Sequence, residues 1–545
     1  MPNGCLKLRL SDSSAATEQE SFGGDDRAEE NGARVFREMW EMGYRCEQLD
    51  RAGRDGAVGR RRPPIFLLGL LAVGSLLIQG YHLGVDDAEI YIPAIKRVAN
   101  PALFSFNSEF FMTHAHFSLF SELVGFSARL TQLPVDLVIF VFHFAGIVLL
   151  LLASWRLLDA CFVNASARWA GVTLIAALLS VPVAGTALFI TDPYVTARTL
   201  STPATLFAVA CYVSGQRWRA LAWLLFTALI HPQMAIYGAC LLICLALKRF
   251  WFRVAEPASV LGLLALFPLL WSFEPASGAA REALVARTYF FIFQWKWYEW
   301  LGAILPLALL WWFSSAKIRG ATPQFRIVAR TLVPFGVAFT VAAIILNSAA
   351  RLENFTRLQP MRSFHILYVV FFLLLGGLLG EYLLARRVWR WLALFLPLAA
   401  SMWYLQQSSF PHSPHIEWPG ASSANPWTSA FLWIRYNTPQ DAVFALDPDY
   451  MGIPEDDQHG FRAVAERSSL ADRLKDSGAV SLFPQLAEDW NSQVTAQAGL
   501  DHFQSADFER LSRLYPVTWV VVRAPAVPGS DCPYQNQSLS VCRIR

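Results

Sequence analysis

"LAWLLFTALIHPQMAIYGACLLICLAL", Leu221–Leu247, is the stretch on which the direction of the whole chain turns. A membrane-spanning helix needs about 20 apolar residues, and this run exceeds that length. His231 and Pro232 interrupt it near its middle. Proline breaks a helix, and polar groups at membrane depth must be satisfied by protein or by cavity water. Read as one helix, the stretch crosses once. Read as two short helices, it enters, turns at His231 and returns to the side where it began.

The other apolar runs are Pro63–Tyr81, Pro134–Ala153, Trp169–Ile190, Pro203–Val213, Pro257–Phe273, Trp300–Phe313, Ile327–Leu346, Phe364–Leu384 and Trp391–Tyr404. Basic clusters decide the reading of the hairpin. With Arg60–Arg62 cytoplasmic and a broken hairpin at His231, the later clusters fall on the same side. These are Arg156 and Arg168; Arg217 and Arg219; Lys248, Arg249 and Arg253; Lys317, Arg319 and Arg326; and Arg386, Arg387 and Arg390. Cytoplasmic loops carry the excess of Lys and Arg, so this arrangement obeys the positive-inside rule. A single span would put the last three clusters outside. The expectation is an α-helical polytopic membrane protein with eleven membrane segments, including the broken hairpin. Residues 63–405 form the membrane domain, with an external loop at 83–133, and residues 406–545 lie outside the cytoplasm.

Composition agrees with this class. Hydrophobic residues make up 54% of the 545 and charged residues 16%, the balance of a polytopic membrane protein. A formal net charge of +3 is too small to suggest nucleic acid as a partner. Residues 1–62 are polar and rich in Gly and Ser, and read as a disordered cytoplasmic region. Of eight cysteines, most lie in or near apolar runs as packing residues. Cys532 and Cys542 flank a polar segment and can bridge in an oxidising compartment.

The external loop opens with "YHLGVDDAEIYIPAIKR", Tyr81–Arg97. Ile90, Ala94 and Val98 share one helical face, as do Phe117, Phe120, Val124 and Ala128 further on. The period predicts two amphipathic helices lying in the interface. Asp86 and Asp87 stand at the start of the first, where a carboxylate also suits the helix dipole and can cap the helix.

An acidic pair just beyond the first span, two interfacial helices, many further spans and an external C-terminal domain together resemble the GT-C superfamily. These are polytopic glycosyltransferases that use sugars carried on polyprenyl phosphate. The opening of the C-terminal domain, "WIRYNTPQDAVFA" (Trp433–Ala445), is similar to that of oligosaccharyltransferase-like members. The Trp-Trp-Asp acceptor motif is absent, so peptide glycosylation is not implied. The resemblance implies transfer from a polyprenyl-phosphate sugar donor on the outer face of the cytoplasmic membrane of a bacterium. It also implies Asp86 and Asp87 as the candidate catalytic acids, acting as base or as ligands of a divalent ion.

Such a transfer needs positive charge for the leaving phosphate. Arginine suits it because its planar fork binds two oxygens. Arg198, Arg281, Arg287, Arg351, Arg357 and Arg362 lie on the external side against the positive-inside trend, and Arg198, Arg357 and Arg362 among them are the candidate phosphate ligands; pairing with acids or lipid headgroups is the alternative. His114 and His116, with Asp87, are a candidate site for a divalent metal such as Mg or Mn, or simply interfacial histidines. His231 lines a cavity or closes the break at Pro232.

In the tail, "WTSAFLWIRYNT", "FPQLAEDWNSQVTAQAG" and "DFERLSRLY" read as helices, and "AVFAL", "VTWVVVRA" and "LSVCRIR" as strands: a small α/β domain. The charged "GFRAVAERSSLADRLKDSG" is placed near the membrane face. Two other functions fit the same sequence. A transporter or flippase of a lipid-linked glycan would use the broken hairpin, since broken helices line transport sites. A membrane assembly protein would keep the architecture without turnover.

Overall fold

The computed structural model describes residues 65–247, 275–385, 387–526 and 531–544. The expected disordered region 1–62 and the expected span Pro257–Phe273 lie outside them. All the described residues belong to one compact unit. In chain order its helices are α1 (Ile65–Gln79), α2 (Ala88–Ala99), α3 (Glu109–Ala115), α4 (Phe120–Thr131), α5 (Val135–Cys161), α6 (Ala165–Ala177), α7 (Arg198–Val213), α8 (Arg217–Ile230) and α9 (Pro232–Ala246). Beyond residue 275 come α10 (Gly278–Val285), α11 (Trp297–Ser315), α12 (Pro323–Asn347), α13 (Phe364–Leu379) and α14 (Val388–Ser409).

Among the described residues four helical stretches are long and apolar enough to cross a membrane: Val135–Cys161, Pro323–Asn347, Ala350–Leu384 and Val388–Ser409. The protein is therefore a helical one of membrane character. The other apolar runs among the described residues are helical too, but shorter. The run Trp169–Ile190 is helical only as far as Ala177, and an irregular segment then leads to α7.

Side-chain and backbone contacts show that the chain shuttles between two ends. At one end Phe162 bridges Ala321, and the Asn164 amide donates to the Glu381 carboxylate at 2.8 Å. These residues neighbour the basic clusters around Arg168, Lys317 and Arg387. At the other end Tyr81 bridges Ile416, and the Leu119 amide donates to the Leu229 carbonyl at 2.8 Å. That second end carries the tail domain and is called the tail face below. Pro232 occupies the first turn of α9, where its missing N–H costs nothing. The hairpin thus runs as two short helices whose tip meets residues 118–119 of the 83–133 segment. His231 stands under that loop and not halfway along the bundle.

The helices pack tightly where side chains are small. A Cβ added to Gly376 on α13 would stand 2.7 Å from the Cα of Gly171 on α6, so the two backbones touch because neither residue has a side chain. Aromatic and aliphatic side chains of α1, α5, α6, α7, α12 and α13 fill the centre.

The tail contains α15 (Pro426–Asn437), α16 (Phe461–Ala465), α17 (Asp476–Leu482), α18 (Ala487–Gln497) and α19 (Ser505–Leu514). Its strands are β1 (Val443–Ala445), β2 (Ser468–Ser469), β3 (Trp519–Arg523), β4 (Asp531–Gln535) and β5 (Leu539–Arg543). They form one sheet in the order β2-β1-β3-β5-β4. β1 is parallel to β2 and β3, while β5 is antiparallel to β3 and β4. β2 and β4 escape sequence reading: one is two residues long, and the other alternates between exposed and half-buried without an apolar face. Cys532 and Cys542 face each other across β4 and β5 and form a disulfide.

The two expected interfacial helices differ. α4 buries Phe120, Val124 and Ala128 as its period predicts, and leaves Leu123, Phe126 and Leu130 exposed on the opposite side. Phe117, expected on the same face, is exposed. α2 is buried nearly all round instead of lying on a surface. The reason is the tail, whose α16 covers it. Glu89 of α2 accepts from the Arg462 side chain at 2.8 Å and from the Ala463 amide at 2.8 Å. Lys96 pairs with Asp136 and Glu466, both at 2.9 Å. The guanidinium of Arg462 also reaches Asp472 and Asp476. These charges tolerate burial because each is paired. Replacing Arg462 by Ala strands three buried acids, with an expected cost of about 3–5 kcal/mol. Thermal unfolding of the purified protein should show it as a large loss, much greater than for Arg510→Ala on an exposed helix.

A second anchor holds the segment leaving α1. Glu417 accepts from the Leu83 amide at 2.8 Å and pairs with His459 at 2.6 Å. Burial opposes both charges, but the pairing prevails: Glu417 is held down to about 2 and His459 pushed up to about 9. The glutamate's contribution is full above its ordinary 4.5 and lost as pH falls through 2. The histidine's is full below its ordinary 6.5 and lost as pH rises through 9. The His459 pair should therefore contribute less to tail docking, followed by limited proteolysis, as pH rises from 6.5 to 9, and His459→Gln should reduce the alkaline loss.

Candidate functional site

The segment Tyr81–Asp87 is clamped from both sides. Tyr81 N–H donates to the His415 carbonyl at 3.0 Å, His82 N–H to Pro193 at 2.9 Å and Asp86 N–H to Gln458 at 2.9 Å. Gly80 makes the turn out of α1 at a φ of +76°, with the His415 carbonyl 2.5 Å from where a Cβ would stand. Asp86 has a φ of +53°, the left-handed conformation that aspartate tolerates better than most residues.

Asp87 occupies the N-cap position of α2, yet its side chain makes no capping hydrogen bond. Its two oxygens face Arg198 at 3.2 Å and Lys475 at 3.3 Å. Asp86 accepts from the Tyr194 hydroxyl at 2.9 Å and is in direct contact with the Lys475 ammonium. Protein surrounds Asp87 closely, yet the side chains of Asp86 and Asp87 keep 30% and 26% of their surface open. Both carboxylates are therefore partly open to solvent.

The charges around the pair come from distant parts of the chain. Arg198, at the start of α7, bridges Asp87 and the buried Asp192, 2.8 Å away. Arg287 binds the Leu474 carbonyl and, at 2.8 Å, the Ser477 hydroxyl, so it holds the loop that presents Lys475. Arg362 lies over the Tyr289 ring at 5.3 Å, makes no ion pair among the described residues, and has a buried Nε with no hydrogen-bond partner. Tyr237 of α9 donates to the carbonyls at 358 and 359, which positions the turn leading to Arg362. Burial tends to raise the Asp87 carboxyl, but Arg198, Arg362 and Arg287 outweigh it and hold the group below its usual range. Burial lowers Lys475 to about 7, while the two aspartates it touches favour the charged form.

Three imidazoles complete the surroundings. His114 packs edge-on against Tyr91 at 5.2 Å, and burial lowers it to about 4, so it is neutral at ordinary pH. His231, at the hairpin tip, lies within the electrostatic reach of Arg198, Arg362, His114 and His365. Two small cavities of about 10 Å³ lie beneath. One is lined by Asp192, Arg198, Thr202 and His365, the other by Thr205, Tyr237, Arg362 and His365. Each is about the size of a single water site.

The structure thus draws Asp86, Asp87, Arg198, Arg362, His114 and His231 into one neighbourhood, and leaves two expected residues out. Arg357 turns back on its own helical turn, donating to the Asn354 carbonyl at 2.6 Å and the Asn354 side chain at 2.7 Å. His116 follows α3 on its exposed side, because two residues of helical rotation, about 200°, separate it from the face that carries His114 inward. The grouping of Asp87, His114 and His116 is therefore not formed, and among the described residues no group of three His, Cys, Asp or Glu side chains is placed to hold a metal. The acid pair does not suit a divalent ion as it stands: Lys475 and Arg198 already occupy its oxygens, and Arg287 and Arg362 add positive charge.

Lys475, Asp192 and Tyr194 were not legible as site residues, whereas Arg287 is one of the external arginines that the sequence singles out. Lys475 sits in the charged tail segment placed near the membrane face, and that placement was the only signal. No protein-family model matches this chain, and no curated protein sequence matches it.

Arg198 and Arg362 should respond differently to truncation. Arg198→Ala leaves the buried Asp192 without its cation and should lower the unfolding temperature markedly, on the scale of a broken buried pair, about 3–5 kcal/mol. Arg362→Ala breaks no ion pair and should change thermal stability little. Differential scanning of the two variants in the same detergent checks the contrast.

Proposed function

We propose that this chain is a membrane glycosyltransferase of the GT-C type, moving a sugar from a polyprenyl-phosphate-linked donor to an acceptor on the tail face. The observation that carries this reading is Asp87: it stands at a helix start without capping it, and turns a partly exposed carboxylate toward guanidinium groups. A carboxylate that only finished the helix would bond its own backbone amides.

In the proposed reaction the acceptor oxygen forms a bond to the sugar's anomeric carbon while the bond from that carbon to the phosphate oxygen breaks. The acceptor proton passes to Asp86 or Asp87, and the electron pair leaves with the polyprenyl phosphate. Arg362, with no acid of its own among the described residues, is the ligand for that phosphate. Arg198 orients Asp87, and Lys475 holds both acids in place. The chemistry needs only a base and a positively charged leaving-group site. The disulfide supports an oxidising compartment for the tail, and hence the outer face of the cytoplasmic membrane.

The test is sugar transfer from a polyprenyl-phosphate donor by protein in lipid nanodiscs. Asp87→Asn or Asp86→Asn should reduce turnover about 10²–10⁴-fold while the protein stays folded. Arg362→Ala should raise the KM for donor more than it lowers kcat, because it removes a binding charge. Lipid-linked glycan crossing a vesicle bilayer, with no transfer in any assay, would establish a transporter instead.

A further inference from the structure

A second cavity, of about 560 Å³, opens on the tail face where the bundle meets the tail. That is within the range of small-molecule sites, about 300–1,000 Å³. Its walls are Leu83 and Asp136 from the bundle side, the segment from Pro414 to Ser423, and α15. None of the reacting groups above lines it. Leu83 stands three residues before Asp86, at most about 11 Å along an extended chain.

Its chemistry is specific. Trp418 and Tyr436 are large rings that remain 57% and 73% exposed on its rim. Trp433 stacks on Tyr534 at 5.1 Å, which fixes the indole from behind. Thr428 sits in the wall, nine-tenths buried, and its hydroxyl has no partner among the described residues. Asp136 and Glu417 supply carboxylates, and Arg435 the guanidinium that neutralises Asp136 at 2.7 Å.

That set excludes two ligand classes. A phosphate would meet two acids and a guanidinium already shared between Asp136 and Glu466. An acyl chain would strand the carboxylates and hydroxyls against hydrocarbon, which is costly. An uncharged polyhydroxylated ligand suits all of it: ring C–H faces lie on the aromatics, and hydroxyls donate to carboxylates and exchange hydrogen bonds with Thr428. We infer that this cavity binds an uncharged segment of an oligosaccharide, stacked on Trp418 and Trp433 and hydrogen-bonded to Thr428 and Glu417. On the transferase reading the occupant is the acceptor glycan. The binding itself does not depend on that reading, since it is measured without donor and without turnover.

The test uses the full chain in nanodiscs of zwitterionic lipid. Intrinsic tryptophan fluorescence and calorimetry follow titration with a panel of neutral tri- to hexasaccharides of glucose, mannose and N-acetylglucosamine. Saturable binding of a panel member is expected. Trp433→Ala should weaken it about tenfold or more, and the near-isosteric Thr428→Val by about two- to tenfold, with unfolding temperature unchanged for the latter. Neutral glycolipids placed in the nanodisc compete if the natural glycan is lipid-borne, and fail to compete if it is free; either result supports the site. Failure of the whole panel and of the glycolipids to bind at millimolar concentration overturns the inference. So does binding that Thr428→Val and Trp433→Ala both leave untouched, or an anionic phospholipid that occupies the cavity in their place.

Discussion

Everything at the tail face depends on one buried charge system. Glu89 and Lys96 lie on α2, one near each end, and meet Arg462 and Glu466 from the tail. Neither side could bury its charges alone, because an unpaired ion in a low-dielectric interior costs several kcal/mol. Each half therefore requires the other to be docked. With α2 gripped in this way, the two residues before it have no freedom to turn into bulk solvent. The placement of Asp86 and Asp87 follows from the ion pairs at Glu89 and Lys96, less than one turn and nearly three turns further along.

The same docking explains why the tail is part of the site. Residues 461–477 run from Arg462, which secures α2, to Lys475, which touches both aspartates, and to Ser477, which receives Arg287. A single segment thus performs the structural and the electrostatic task. The bundle supplies the rest from separate places: Arg198 from the start of α7, Arg362 from the turn before α13, and His231 from the hairpin tip. Those elements converge because the chain returns to the tail face at each of them, and the alternation of ends is what gathers them.

How far the sequence could be read differs with the kind of signal. Periodicity and length identify the helices well, since burial against a bundle or lipid writes itself as long apolar runs. The tail strands β1, β3 and β5 are visible for the same reason. Residue-by-residue contact is another matter. Arg357 and Arg362 look alike as external arginines five positions apart, yet one folds back on Asn354 and the other lies over Tyr289. His114 and His116 look like a pair, and the helix separates them. α2 shows an amphipathic period and would float at an interface if the tail did not cover it.

By itself, the sequence determined the helical membrane character, the broken hairpin at His231–Pro232 and the α/β tail, because these follow from local composition and spacing. Only the tertiary structure decided that Asp87 faces Arg198 and Lys475 instead of capping α2, and that Arg362 stays without an acid partner among the described residues. The physical reason is that ion pairing and desolvation depend on distances between groups hundreds of residues apart, and no local pattern encodes those distances.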